Sequence, residues 1–353
     1  MLKRLFFLSI GLVTLGSLAS LTSCGKKGDS AADSTAAANA NSLTGAGSTF
    51  INPIMTHWAS EYQAQDSVSV NYQSVGSGAG INNLIDHTVD FAGSDAPMNQ
   101  GELDRAKAPV IHVPAVIGAV CVAYNVNGVT SGLKLTSQAI ADIFLGKIKY
   151  WDDKSITSAN AGMKLPHEKI TSAHRSDGSG TTAIFTDFLS KVSPEWKTKV
   201  GQGKTVNWPE GGLGGKGNDG VAGVLKQQAN SIGYVELAYA EQNHISYASV
   251  QNSAGNFVAP SVESAAAAAE AFPMPDNITS MITNSSAPQG YPITGFSWII
   301  TWKNSPKSEA VNKFITWVTT KGQADCKALY YAPIPASAAS AVAAMLAPST
   351  AAK

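Results

Sequence analysis

His174-Arg175-Ser176-Asp177-Gly178-Ser179-Gly180-Thr181-Thr182 is the stretch on which the reading of this chain turns. The β-prone Lys169-Ile170-Thr171-Ser172-Ala173 precedes it, and Ala183-Ile184-Phe185-Thr186-Asp187-Phe188-Leu189, apolar at helical spacing, follows. Strand, glycine-rich turn and helix in succession form the unit from which open α/β sheets are built. At the start of such a helix the first N–H groups lack intrahelical partners and the positive end of the dipole is exposed. Arg175 adds a guanidinium there, and Ser179, Thr181 and Thr182 add hydroxyls, so the turn suits an anion. Taken alone it also reads as an ordinary capped helix whose Arg175–Asp177 pair is solvated.

The unit recurs. Leu43-Thr44-Gly45-Ala46-Gly47-Ser48-Thr49-Phe50 leads through Pro53 into a helix with Ile54, Met55, Trp58 and Tyr62 on one face. Val68, Val70 and Tyr72 alternate as a strand, and Val75-Gly76-Ser77-Gly78-Ala79-Gly80 opens a helix carrying Ile81, Leu84 and Ile85. Val89 to Gly93 reads as a short strand that delivers Ser94-Asp95-Ala96-Pro97, where Pro97 restricts Ala96. Ala115 to Ala123 is nearly all apolar, as expected of a strand covered on both faces. Thr136 caps a helix to Phe144; Trp208 to Gly220 reads as a loop feeding a helix from Val221; Ser231 to Glu236 and Phe296 to Trp302 read as strands. Helices follow Ser305-Pro306 and Pro335, and Ala265 to Ala269 is helical by propensity. The alternation predicts an α/β fold with ligand at the strand ends, near a switch point or between lobes.

A chain of 353 residues exceeds what one core usually serves, so two lobes are expected. Its 25 Lys+Arg balance 25 Asp+Glu with no long charged block, which gives no reason to expect nucleic acid as a partner. Met1-Leu2-Lys3-Arg4, the apolar Leu5 to Leu18, and Leu21-Thr22-Ser23-Cys24 read as an export signal over residues 1–23 ending in a sequence that resembles the bacterial lipobox. On that resemblance Cys24 would carry a diacylglyceryl group and, with a further acyl chain such as palmitate, anchor the protein outside the cytoplasmic membrane. Cleavage removes Lys3 and Arg4 and no acid, leaving a formal balance of two negative charges. An attractive global field for an anion is therefore absent. Residues 24–42 hold the lipidated Cys and a tether whose small polar residues cannot offset the entropy of ordering, with a reach on the order of 20 Å. Cys121 lies in an apolar run and Cys326 in a helical one, so two buried free thiols are expected, and no group has metal-ligand spacing.

Gly45-Ala46-Gly47-Ser48-Thr49-Phe50, Asn71-Tyr72-Gln73 with Gly76-Ser77, Val89-Asp90-Phe91 with Ser94-Asp95-Ala96-Pro97, Gly146-Lys147-Ile148 with Trp151-Asp152-Asp153, Arg175 with Asp177-Gly178-Ser179-Gly180-Thr181, and Gly214 to Gly220 come in that order. Together, over about residues 43 to 335, they resemble the PstS family, the phosphate-binding proteins of bacterial phosphate ABC transporters. The resemblance implies a type II periplasmic-binding-protein fold, with two α/β lobes, a ligand cleft and a two-crossing hinge. One lobe would hold residues 43–115 plus 292–353 and the other 116–291. It also implies a monomeric, non-enzymatic binding subunit without cofactor that delivers inorganic phosphate to the permease's transmembrane subunits. Contacts carried over are Thr49 and Phe50 (backbone), Ser77, Asp95, Arg175, Ser179, Gly180 (backbone) and Thr181, with Asp177 pairing to Arg175. Ser176 stands where the family often has another polar residue, and Gly78 where a second Ser is common.

These residue types suit the role. Ser, Thr, backbone N–H and Arg are donors, and a dry site must supply donors to most phosphate lone pairs. Asp95 looks wrong beside an anion unless the anion carries a proton, as phosphate does at neutral pH and sulfate does not; its carboxylate would select against sulfate. A binder for another tetrahedral oxyanion such as sulfate or molybdate, and a phosphate-ester or serine hydrolase, are the other classes. The G-x-S-x-G elbow is absent from the sequence.

Overall fold

In a computed structural model the structure describes residues 42–209, 212–272 and 279–346. The residues read as an export signal, Cys24 and the expected tether up to residue 41 lie outside the described residues. The strands are β1 (Ser42–Gly47), β2 (Ser69–Ser74), β3 (Phe91–Ser94), β4 (Val110–Asn125), β5 (Lys134–Leu135), β6 (Thr171–Arg175), β7 (Leu213–Gly215), β8 (Ser231–Glu236), β9 (Ser246–Tyr247), β10 (Ser249–Gln251), β11 (Phe257–Val258) and β12 (Thr294–Trp302). Between them run the helices α1 (Asn52–Asp66), α2 (Ser77–Ile85), α3 (Gln100–Ala106), α4 (Ser137–Phe144), α5 (Lys154–Thr157), α6 (Gly180–Val192), α7 (Pro194–Lys199), α8 (Gly217–Gln227), α9 (Leu237–Gln242), α10 (Val262–Glu270), α11 (Ser308–Thr319) and α12 (Ala336–Leu346).

Local chemistry accounts for the helix starts. Pro53 occupies the first turn of α1, whose Ile54, Met55, Trp58 and Tyr62 are buried as their spacing predicts. Thr136 caps α4 by accepting from Ala139 N–H, Ser179 caps α6 by accepting from Thr182 N–H, and Asn99 and Glu102 form a reciprocal capping box on α3. Each cap stabilises its helix by about 1 kcal/mol.

The main sheet runs β2-β1-β3-β12-β4-β8-β6-β7, with β9 also on β4. Parallel pairs β1–β2, β1–β3, β8–β6 and β6–β7 flank the antiparallel β3–β12, β12–β4 and β4–β8. β4 is the spine: Val110 to Ala119 pair with β12, and Val120 to Asn125 pair with β8. The β4–β12 register slips between Ser297 and Trp298. Ala115 is the residue passed over, and its carbonyl instead accepts from Gln323 Nε2 at 2.9 Å. Trp58, Tyr62, Phe91 and Phe314 pack at one end of the core and Phe144, Phe185 and Tyr234 at the other, each buried ring contributing about 2–3 kcal/mol. Cys121 and Cys326 are free and buried, as expected.

Three expectations change. β4 extends beyond the apolar run at both ends, and β1 takes up Ser42, the last residue assigned to the tether. The stretch 208–220 is not all loop: β7 pairs in parallel with β6, Ala173 to Arg175 facing Leu213 to Gly215, and α8 begins at Gly217 rather than Val221. A three-residue edge strand with two glycines has no side-chain alternation to read, and the first turn of α8 is Gly-Asn-Asp-Gly, which has the composition of a loop.

Candidate functional site

Four helix starts converge on one place. Thr49 and Phe50 lie just before α1, Ser77 is the first residue of α2, Gly180 of α6 and Gly217 of α8. Their aligned dipoles favour negative charge at this spot without any excess of basic side chains.

Asp95, 1% exposed, stands just past the end of β3. Ser48 Oγ donates to both its oxygens at 2.6 Å and Ser297 Oγ donates to Oδ1 at 2.8 Å, while Ser77 Oγ lies 3.5 Å from Oδ2. Burial pushes the carboxyl up to about 6; the Ser48 and Ser297 hydrogen bonds and the Arg175 charge oppose that rise. Below about pH 4 the carboxyl is protonated in both folded and unfolded chains, and above about pH 6 it is ionised in both. In between, the folded protein holds a proton that the unfolded chain has released. The ligand-free protein should therefore lose stability through Asp95 as pH rises through this window, by about 3 kcal/mol in all. Urea midpoints of stripped protein across that range check this: the fall should be smaller in Asp95→Asn, and equal slopes in the two proteins would refute it.

Arg175 ends β6 and is 4% exposed. Its Nε and Nη2 donate to Asp177 Oδ1 and Oδ2 at 2.8 and 2.6 Å, and Nη1 donates to Thr181 Oγ1 at 3.3 Å. Asp177 Oδ1 also accepts from Gly217 N–H at 3.0 Å. Burial would raise the Asp177 carboxyl, but the Arg175 guanidinium outweighs it and holds the group below its ordinary value.

Asn218, fully buried, joins Thr49 to Thr181: Nδ2 donates to Thr49 Oγ1 at 2.8 Å and to Thr181 Oγ1 at 3.2 Å. Tyr239 and Tyr331 donate at 2.6 Å to the carbonyls of Thr49 and Phe50, fixing that loop. Tyr331 also reaches Glu236 Oε2 at 3.3 Å, and burial pushes the Glu236 carboxyl well above its usual range. The backbone N–H groups expected to face a ligand are engaged by hydroxyls, Phe50 by Ser48 Oγ at 2.9 Å and Gly180 by Ser77 Oγ at 3.0 Å.

The loops meet with almost nothing between them. Gly78 N–H donates to the Gly178 carbonyl at 2.9 Å, and a Cβ on Gly78 would lie 3.2 Å from Gly178 Cα. A serine here would have to displace that backbone. Gly76 has φ +92, and a Cβ there would sit 2.4 Å from Asp177 Oδ2; one on Gly180 would sit 2.5 Å from both Asp95 Oδ2 and Ser77 Oγ. Outside this cluster, Lys204 Nζ pairs with Glu102 at 2.7 Å, and the Lys204 carbonyl accepts from Ser179 N–H at 2.8 Å.

All the residues expected to contact the ligand thus lie in one buried network, Ser179 through its cap and the rest through the bonds above. Sequence reading passed over Ser48, Asn218, Ser297, Glu236, Tyr239 and Tyr331 as site residues. Ser48 and Asn218 fall inside the family motifs, and Ser297 is one of two hydroxyls, with Thr301, in an otherwise apolar run, a usable signal. The tyrosines looked like any core aromatic.

The fold and the cluster define an α/β protein whose helix starts meet around one buried polar network. A family model described as a PBP superfamily domain matches residues 32–321. The phosphate-binding protein PstS of Xylella fastidiosa is 46% identical over 299 residues, 83% of this chain and 81% of that protein. That of Haemophilus influenzae is 44% identical over 311 residues, 86% and 92% of the two chains. A solved high affinity periplasmic phosphate-binding protein (PfluDING) bound with phosphate superposes with a TM-score of 0.70 at 25% identity, covering 86% of this chain and 93% of its own. The chain belongs to the PBP superfamily and, within it, to the PstS family.

Proposed function

We propose that this chain binds inorganic phosphate outside the cytoplasmic membrane and delivers it to an ABC-type permease. Thr49, Phe50, Ser77, Asp95, Arg175, Ser179, Gly180 and Thr181 are its contacts. The parts that close on the ion are residues 43–115 with 292–353 on one side and 116–291 on the other, and Cys24 carries the lipid that keeps the monomeric subunit at the membrane. The chain binds and releases its ligand without turning it over. The observation that carries this reading is Asp95, a buried carboxylate that when ionised can only accept and that, among the described residues, has no basic partner within hydrogen-bond reach, in one network with the donors Ser48, Ser77, Ser297, Arg175 and Thr181. Such a set fits a tetrahedral oxyanion that brings one proton of its own. The PstS names of relatives 44% and 46% identical support the same ligand.

Ligand-induced stabilisation of the chain from residue 25 onward, stripped of bound ion, is the test. Phosphate at about a hundred times its Kd adds about 2.7 kcal/mol and should raise the melting temperature by several degrees at neutral pH. Sulfate and a phosphate monoester should leave it unmoved. A flat response to phosphate overturns the reading, and hydrolysis of the monoester would make the chain an enzyme instead.

A further inference from the structure

Thr49 Oγ1 accepts twice from Asn218, from N–H at 3.1 Å and from Nδ2 at 2.8 Å. Thr181 Oγ1 also accepts twice, from Asn218 Nδ2 at 3.2 Å and Arg175 Nη1 at 3.3 Å. A hydroxyl oxygen has two lone pairs, so both threonines have spent their accepting capacity and keep only an O–H to offer. The orientation of the Asn218 amide follows from the backbone: Oδ1 accepts from Glu236 N–H at 3.0 Å, and a flipped amide would set donor against donor there. Asn218 is wholly buried, so water cannot substitute for these partners.

We propose that Asn218 is a positioning residue that locks Thr49 and Thr181 into donating to the bound anion, leaving Asp95 as the side chain that can accept the anion's proton. The proposal rests on the phosphate reading above and extends it. Asp95 alone explains why a proton is welcome at one oxygen of the ligand. Asn218 explains why one is unwelcome at the oxygens facing Thr49 and Thr181, where an O–H would meet another O–H with no free lone pair. The amide thereby sets which way up a singly protonated phosphate sits.

A double-mutant cycle read by calorimetry with inorganic phosphate tests this. Asn218→Asp keeps the shape but presents a carboxylate, which takes the threonine O–H groups for itself. It should weaken phosphate binding about a hundredfold or more near pH 8, and Asn218→Ala, which only frees the hydroxyls to rotate, about tenfold. In a Thr49→Val/Thr181→Val background the Asn218→Asp loss should shrink to about tenfold, the part due to added charge alone. In the native background the loss, taken against the unaltered chain at each pH, should narrow as pH falls toward about 5, because a protonated carboxyl can donate again. An equal loss in both backgrounds, or equal losses for Asp and Ala, overturns the proposal. Should Asn218→Asp not fold, Asn218→Ala runs the same cycle: its loss must fall below about twofold in the valine background, and an undiminished loss counts against the proposal. Failure of the unaltered chain to bind phosphate at all is a separate result, which removes the function reading and this extension with it.

Discussion

Asp95→Asn should bind sulfate. In the native protein the carboxylate oxygens are held by Ser48 and Ser297, and any ligand oxygen brought against them must carry a hydrogen. Sulfate has none and would place lone pair against lone pair in a dry site, where rejection can reach about 10⁴. With asparagine, the two serine O–H groups hold the amide oxygen on their side and turn the NH2 toward the ligand, so the residue becomes a donor. Phosphate affinity should fall and sulfate affinity rise, shifting their ratio by about 10³ or more. Titration of stripped protein with each ion reads this directly. If the variant still ignores millimolar sulfate, selection resides elsewhere in the cluster.

Replacing Arg175 by lysine should lower phosphate affinity by about two orders of magnitude. The guanidinium makes three bonds at once: two to Asp177 at 2.8 and 2.6 Å and one to Thr181 at 3.3 Å. A lysine ammonium is a single point with different reach and cannot hold Asp177 in a fork while facing an anion. Asp177, with 14% of its side chain exposed, would be left poorly paired beside the incoming charge. Breaking a buried pair from one side costs about 3–5 kcal/mol, and partial exposure of Asp177 places this case at the lower end. Asp177→Asn should lose less, because the arginine charge stays. Retention of phosphate affinity within about tenfold by Arg175→Lys would show that positive charge, rather than the fork, is what the site uses.

Strand-turn-helix units announce themselves because their signals are local. Pro53 and the Ile54-Met55-Trp58-Tyr62 stripe are enough to read α1, and Thr136 is enough to start α4. Sheet order is not local. β12 inserts antiparallel between β3 and β4, pairing Trp298 with Ser94 and Thr294 with Ala119, and nothing within either strand specifies a partner so distant in sequence. The residues proposed as ligand contacts were legible through family motifs, whereas the groups that bond to them were not. Ser297 reaches Asp95 from a strand 202 positions away, and Tyr239 and Tyr331 meet Thr49 and Phe50 only through backbone carbonyls. A side chain whose task is to bond a carbonyl needs only a hydroxyl at the right place, and sequence pattern does not encode the place.

The backbone contact between Gly78 and Gly178, and the lack of room for a Cβ at Gly76 or Gly180, bear on time as well as on shape. Gly78 N–H meets the Gly178 carbonyl directly, so an ion leaving between these two loops needs them to part. Residence is then counted by how often the loops part, a rhythm belonging to the protein. Ions of different strength but equal fit would share one departure clock, and a partner that wants the cargo sooner has to pull on the loops rather than compete for the ion.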